Sequence, residues 1–435
     1  MPDTSTAQRT SPQTPRAPGA HGVGPGPAGQ LALGRGVIGI VGAGQLARMM
    51  CEAASALAIP VVVLAERTDD AAALVAPEVA AGTPTDAAAM QALAGRCDVV
   101  TFDHEQVDLD ILGSLERAGV TVRPGARTLR MAVDKAEMRA TFDEAGLPCP
   151  PYAALGTPGA DGVGLRELHA RLVGFAGAHG WPVVVKAARG GYDGKGVWPV
   201  ATPEAALEVC ERAAASATPL LVEAHVDIDA ELAVVVARRP GGETVAWPAV
   251  ETAQLDGVCR EVLYPGRLDA EVTRRAADLA QEVAAVVDAV GVLAVELFWS
   301  EGQLLVNEIA ARPHNSAHWT IEGARTSQFE NHLRAVLDLP LGDTSPAAPA
   351  VASVNVFGSD LGSADGALDP AVTLGDALGV PGAHVHLYGK VARPGRKLGH
   401  VTVCGDDPGD VRARAWAAAR ALGTPVPAAL GIELS

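Results

Sequence analysis

The chain has 435 residues, with a hydrophobic fraction of 48%, a charged fraction of 20% and a formal net charge of -17. That length suits roughly three domains of about 150 residues, and the composition is that of a globular protein. The acidic balance argues against general nucleic-acid or membrane-surface binding, and no apolar run reaches the ~18–20 residues that cross a bilayer.

Residues 1–34 are rich in Pro, Gly, Ser, Thr and Ala without apolar periodicity, and a disordered tail is expected there. Folding is expected to begin near Gly36. A short apolar run at 37–41 precedes Gly42-Ala43-Gly44 and a helix through Met50 and Leu57. Further strands are expected at 61–64, 99–102 and 120–122, separated by helical stretches. Strands alternating with helices predict a parallel sheet covered on both faces. Residues 127–145 read as one helix carrying Lys135, and Pro148, Pro150 and Pro151 mark a boundary. A strand at 183–185, a glycine loop at 190–196, a strand at 197–200 and a helix at 203–215 follow. Strands are then expected at 220–223, 231–237, 292–298 and 303–309, with a long helix near 270–289 and a linker at 340–349. The last part reads as strands near 351–356, 384–388 and 400–404 and a helix at 410–421. The six cysteines are scattered and form no C-x-x-C pair, which suits reduced thiols.

Several clusters carry chemistry. Gly42-Ala43-Gly44 lies between a strand and a helix, and Glu66 ends the next strand. In a dinucleotide site, helix amides would hold phosphate there and the acid a ribose. Another phosphate or substrate contact, or plain helix–strand packing, fits the same residues. A second loop runs from Lys186 through Gly190, Gly191, Tyr192, Asp193, Gly194, Lys195 and Gly196. Glycines let amides approach phosphate oxygens, and lysines neutralise them. It is no P-loop, because no helix and no Lys-Ser/Thr pair follows. A lysine at the inner end of an apolar strand needs an anionic partner, which a triphosphate supplies.

Glu223, Ala224, His225 and Val226, with Glu231, could offer backbone groups to an adenine edge and a carboxylate to ribose. A hairpin with a three-residue loop at 301–303 would set Glu296 opposite Glu308. Facing residues lie about 5 Å apart, where like charges repel. A divalent cation removes that repulsion, and Asn307 adds an oxygen suited to magnesium. Arg312, His314 and Asn315 follow at once, as expected for substrate recognition and charge stabilisation. Lys390, Arg393, Arg396 and Lys397 form a basic cluster suited to a second substrate's phosphate.

Together these stretches resemble the ATP-grasp superfamily and, within it, the N5-carboxyaminoimidazole ribonucleotide synthases of purine biosynthesis. The resemblance covers about residues 36–405. It rests on GAGQLARMM at 42–50, TFDHEQV at 101–107, GGYDGKG at 190–196, NEIAARPHNSAHWT at 307–320, SQFENHLRAVLDLPLG at 327–342 and GRKLGHVTV at 395–403. It implies an α/β fold of ATP-grasp architecture. A doubly wound parallel-sheet domain would span 35–130 and a small α+β lid 131–222. A larger α+β domain with the metal site would span 223–345, and a small β-rich unit 346–435.

The resemblance also implies a cytoplasmic homodimer that uses ATP, Mg2+, bicarbonate and 5-aminoimidazole ribonucleotide, and neither nucleic acid nor membrane. Lys135, Lys186 and the loop Gly191, Tyr192, Asp193, Gly194, Lys195 and Gly196 would bind ATP phosphates. Glu223, Ala224, His225, Val226 and Glu231 would hold adenosine, and Asn307 would also meet ATP. Glu296 and Glu308 would bind magnesium. Tyr192 and Asp193 would position bicarbonate, and Arg312, His314 and Asn315 would face the reacting groups. Lys390, Arg396 and Lys397 would hold the ribonucleotide phosphate, with Gln45 and Glu105 nearby.

The chain departs from the pattern at four places. Ala311 stands for an expected proline, Ala317 for glycine, Thr252 for asparagine and Gln254 for histidine. The last two fall in a loop expected to cover ATP, so the segment 251–260 is left out of the site. A formate-dependent glycinamide ribonucleotide transformylase would share the architecture, but GGYDGKG and HNSAHW favour carboxylation. A nicotinamide oxidoreductase would leave the second loop and the glutamate pair unexplained. Intact Lys186, Glu296 and Glu308 argue against a non-catalytic nucleotide sensor.

Overall fold

The computed structural model describes residues 36–159, 163–191, 195–358 and 370–432. The expected tail at 1–34 lies outside the described residues, as do Tyr192, Asp193 and Gly194.

The N-terminal sheet holds β1 (Ile38–Val41), β2 (Val61–Ala65), β3 (Glu78–Ala81) and β4 (Val99–Phe102) in the order β3-β2-β1-β4, all parallel. β1, β2 and β4 are buried at every position, as apolar strands covered on both faces must be. β3 is a largely exposed edge strand with no apolar run to announce it. The strand expected at 120–122 reduces to one parallel bridge between Val100 and Val122. Pro124 follows closely and has no amide to extend the pairing.

The helix expected over 127–145 is broken into Ala126–Val133 and Lys135–Glu144. Asp134 leaves the helical region at φ -117, ψ 99, and its carboxylate accepts from the amides of Ala136 at 3.0 Å and Glu137 at 3.2 Å. Asp followed three residues later by Glu is a capping pattern. The break makes Lys135 the first residue of a new helix.

The lid sheet holds β5 (Tyr152–Gly156), β6 (Val183–Ala187), β7 (Val197–Val200) and β8 (Leu220–Ala224) in the antiparallel order β5-β8-β6-β7. The helices Leu165–His179 and Pro203–Ser216 pack on it through Leu168, Leu172 and Val209.

The largest sheet contains β9 (Ala230–Arg238), β10 (Thr244–Ala246), β11 (Val250–Leu255), β12 (Val258–Tyr264), β13 (Gly291–Ser300), β14 (Gln303–Ala310), β15 (Ala350–Phe357), β16 (Ala383–Leu387) and β17 (Lys397–Gly405). Its order is β14-β13-β9-β11-β12-β15-β17-β16, with β10 beside β9. The segment 251–260, read above as a covering loop, is the β11–β12 hairpin. It turns at Asp256 (φ 54) and Gly257 (φ 72), the two left-handed residues that a tight hairpin requires. β15 pairs with β12, so the C-terminal strands extend this sheet instead of building their own.

The helix Gln328–Val336 joins the large sheet to the N-terminal domain. Phe329, Leu333 and Val336 share a core with Ile40 and Met50. His332 Nδ1 accepts from the Val292 amide at 3.1 Å, so its Nε2–H donates to Thr101 Oγ1 at 2.8 Å. A neutral imidazole thus links β13 to β4, and burial holds its pKa down at about 3.

Candidate active site

Between the lid sheet and the large sheet lies a cavity of about 600 Å³. Its wall brings together Lys135, Lys186, Glu223, Ala224, His225, Val226, Glu231, Glu296, Asn307 and Glu308. Val184, Val197, Ile228 and Phe298 supply an apolar side suited to a flat base. Gly191, Lys195 and Gly196 are described but are not part of this wall. Gly196 has φ 79, and a Cβ on Gly191 would lie 2.8 Å from the Lys195 carbonyl oxygen, so this loop needs glycine at both positions.

Glu296 pairs with Glu308, but not through a three-residue loop. Ser300 pairs with Gln303, leaving a two-residue turn at Glu301 (φ 48) and Gly302 (φ 77). Leu297 then pairs with Val306, and Asn307 is an extra residue before Glu308 meets Glu296. This β-bulge restores the opposition that a two-residue turn alone would have lost. Glu296 is the deeper of the two, with its side chain 19% exposed against 43% for Glu308. Its pKa is pushed up to about 8, first by burial and then by the charges of Glu308 and Glu231. Glu308 is also pushed upward by burial, but Lys135 Nζ at 2.6 Å and the charge of Lys186 bring its pKa below the ordinary value.

Lys186 already has a protein partner, contrary to the expectation that its charge awaited a triphosphate. Its Nζ lies 2.6 Å from Glu223 Oε2 and 3.1 Å from Asn307 Oδ1. Glu223 also accepts from Arg139 Nε at 2.7 Å. Its carboxylate is therefore committed within the protein, and the residue borders the cavity. Gln254, left out on sequence grounds, lines the cavity and hydrogen-bonds both Glu231 and Glu296.

A second cavity, of about 540 Å³, lies at the end of the N-terminal sheet and is bordered by Gly42, Gly44, Glu66, Lys390, Arg393 and Arg396. Lys390 donates to Gln45 Oε1 at 2.5 Å. Burial, then the charges of Arg396 and Lys397, lowers the Lys390 pKa to about 8. Lys397 is not part of this wall. Its Nζ stands 5.9 Å from the Phe357 ring, and its charge acts on His314, His318 and His400.

At the first glycine loop a residue that sequence reasoning missed, Asp103, sets a carboxylate against the helix end. Asp103 Oδ2 accepts from the Gly44 amide at 2.6 Å, occupying the helix end where phosphate would sit. A Cβ on Gly42, at φ 97, would fall 1.8 Å from Asp103 Oδ1. Arg312 Nε donates to Glu105 Oε2 at 2.7 Å, so these two predicted residues meet each other. His314 is half-buried and neutral, its pKa lowered to about 3 by desolvation and the charges of Arg312 and Lys397. Its Nε2 is 3.9 Å from Glu296 Oε1. Asn315 Oδ1 is buried and makes no hydrogen bond among the described residues.

Comparison with known proteins matches this geometry. A ribonucleotide synthetase preATP-grasp domain model matches residues 36–133 and an ATP-grasp domain model 140–329. A phosphoribosylaminoimidazole carboxylase C-terminal domain model matches 352–414. The N5-carboxyaminoimidazole ribonucleotide synthase of Mycobacterium tuberculosis strain H37Rv is 44% identical over 390 residues, covering 88% of this chain and 87% of that protein. The N5-carboxyaminoimidazole ribonucleotide synthetase structure from Thermus thermophilus has a TM-score of 0.77 at 34% identity, covering 90% of this chain and 99% of that one. An Aspergillus clavatus N5-carboxyaminoimidazole synthase, solved in complex with ADP and 5-aminoimidazole ribonucleotide, has a TM-score of 0.79 at 30% identity over 89% of this chain and 99% of that one. The chain therefore belongs to the N5-carboxyaminoimidazole ribonucleotide synthase family, ATP-grasp ligases of purine biosynthesis.

Proposed function

We propose that the cavity between lid and large sheet binds Mg-ATP and that the basic cavity binds 5-aminoimidazole ribonucleotide. Bicarbonate takes the γ-phosphoryl group of ATP, giving carboxyphosphate and ADP. The ribonucleotide amine then takes the carboxyl group, phosphate leaves, and N5-carboxyaminoimidazole ribonucleotide forms. The observation that carries this reading is the cavity that joins Lys135 and Lys186 to the opposed Glu296 and Glu308.

Lys135, Lys186 and the loop from Gly191 to Gly196, with Tyr192 and Asp193, would meet the phosphates and bicarbonate. The backbone of residues 224–226 and the Glu231 carboxylate would hold adenosine. Glu296, Glu308 and Asn307 fit Mg2+, because two opposed carboxylates and an amide oxygen on neighbouring strands border one cavity and offer the hard oxygen donors that this ion takes. Mg2+ held there would offset charge on the phosphate oxygens. Among the described residues no three His, Cys, Asp or Glu side chains form a complete metal site, so nucleotide oxygens would complete the shell. Asn315 Oδ1 is a free acceptor for the reacting amine. Arg312, held by Glu105, and neutral His314 would orient the carboxyl group. Lys390 and Arg396 would hold the ribonucleotide phosphate.

A cytoplasmic homodimer fits the family, and no helix among the described residues is long and apolar enough to cross a membrane. The test is ADP release with 5-aminoimidazole ribonucleotide, bicarbonate and formate supplied in turn. Release should require the ribonucleotide and ignore formate. Turnover of glycinamide ribonucleotide with formate would overturn the assignment.

A further inference from the structure

Arg139 lies one helical turn beyond Lys135 and is fully buried. Its Nε donates to Glu223 Oε1 on β8, and its Nη2 donates to the Asn307 carbonyl oxygen on β14, each at 2.7 Å. One side chain therefore ties a helix to both sheets that wall the nucleotide cavity. Taking a guanidinium out of water is costly unless its donors are well matched, and here the fork meets a carboxylate and a carbonyl.

Both partners bear on the site. Asn307 is the extra residue of the β14 bulge and has no counterpart on β13. The inserted residue of a bulge is left unpaired in the ladder, so its carbonyl needs an outside donor. Glu223 also accepts from Lys186, at 2.6 Å. Two cations share one carboxylate, so one positive charge is left over. Without the arginine, Lys186 and Glu223 would cancel.

We propose that Arg139 is a positioning residue for the nucleotide cavity: it anchors the bulge that sets Glu308 opposite Glu296, and with Lys186 it outnumbers the Glu223 carboxylate, so that the cluster presents one net positive charge to phosphate. This rests on the nucleotide reading given above.

The test is calorimetric binding of ADP in EDTA, with 5-aminoimidazole ribonucleotide binding measured alongside. Arg139→Met should weaken ADP binding by at least about tenfold, the cost of a lost charge-assisted contact, and leave ribonucleotide binding within about twofold. Arg139→Met combined with Glu223→Gln restores one net positive charge and should recover most of the ADP affinity. A purely structural role predicts a double variant no tighter than the single one, with both ligands weakened together; that result overturns the proposal. Arg139→Lys keeps the charge but cannot fork between two acceptors. It should hold ADP in EDTA within about threefold while needing at least about fivefold more magnesium for half-maximal Mg-ADP binding. An unchanged magnesium requirement removes the bulge role, and this variant carries the test if Arg139→Met does not fold. Wild type that binds no ADP overturns the nucleotide reading, and this proposal with it. Wild type that binds ADP alongside an unaffected Arg139→Met overturns this proposal alone.

Discussion

Glu296→Gln separates the electrostatic cost of the metal site from its use. In the metal-free protein the Glu296 carboxyl has a pKa of about 8, against 4.5 for the ordinary group. Between those values the folded protein holds a proton that the unfolded chain has released. Stability from this group is therefore complete below about 4.5 and falls as pH rises towards 8. At about 1.4 kcal/mol per pH unit, the loss reaches roughly 3 kcal/mol at pH 7 and under about 1 kcal/mol at pH 5. Glutamine has nearly the same shape and no such titration. Metal-free Glu296→Gln should thus exceed wild type by up to about 3 kcal/mol at pH 7, or about 3 °C in Tm for a chain of this size. The assay is thermal melting in EDTA at pH 5, 6 and 7. Magnesium with ADP should then raise the Tm of wild type and not of the variant, and ADP release by the variant should fall below about 1% of wild type. A variant less stable than wild type at pH 7, or an advantage that does not shrink towards pH 5, refutes the reasoning.

Glu308→Gln should lose ADP release as fully but gain no metal-free stability, because Lys135 at 2.6 Å already balances Glu308. A clear rise in its Tm in EDTA would contradict that pairing. Arg396→Ala should raise the KM for the ribonucleotide by about tenfold or more and that for ATP by less than about twofold. Equal rises would remove Arg396 from the phosphate site. Gly42→Ala should cost at least about 2 kcal/mol, since alanine resists positive φ and its Cβ would strike Asp103. Unchanged urea melting of this variant would show that the Gly42–Asp103 contact is not close-packed.

Three strands of the N-terminal sheet, β1, β2 and β4, were legible because each is a continuous apolar run. The break at Asp134 was legible too, in a capping pattern that a continuous helical reading overrode. β3 was not, because an exposed edge strand needs no apolar signature. The Asp256-Gly257 turn announced the β11–β12 hairpin, but an expected resemblance to a covering loop obscured it. In the site, residue types were readable and partners were not. The chemistry of Lys186 called for an anion, yet nothing local in the sequence names Glu223, and Arg139 sits on a helix whose pattern gives no hint that its guanidinium is fully buried.

The glutamate pair shows most clearly where pattern stops and tertiary structure begins. Counting residues back from a three-residue loop sets Glu296 opposite Glu308, and the structure makes that pairing by a different route. Glycine at 302 and a left-handed Glu301 favour the two-residue turn, which by itself would face Glu296 with Asn307. Side chains alternate along a strand, so that one-residue slip would turn Glu308 to the opposite face of the sheet. The bulge at Asn307 corrects the slip, and its carbonyl is taken up by Arg139 from the helix that also brings Lys135 to Glu308. A contact between elements 168 residues apart in the chain thus accompanies a register that local turn chemistry opposes. The carboxylate pair, its counter-ion and the anchor of its strand depend on one another, and for that reason no window of sequence around the hairpin contains the whole explanation.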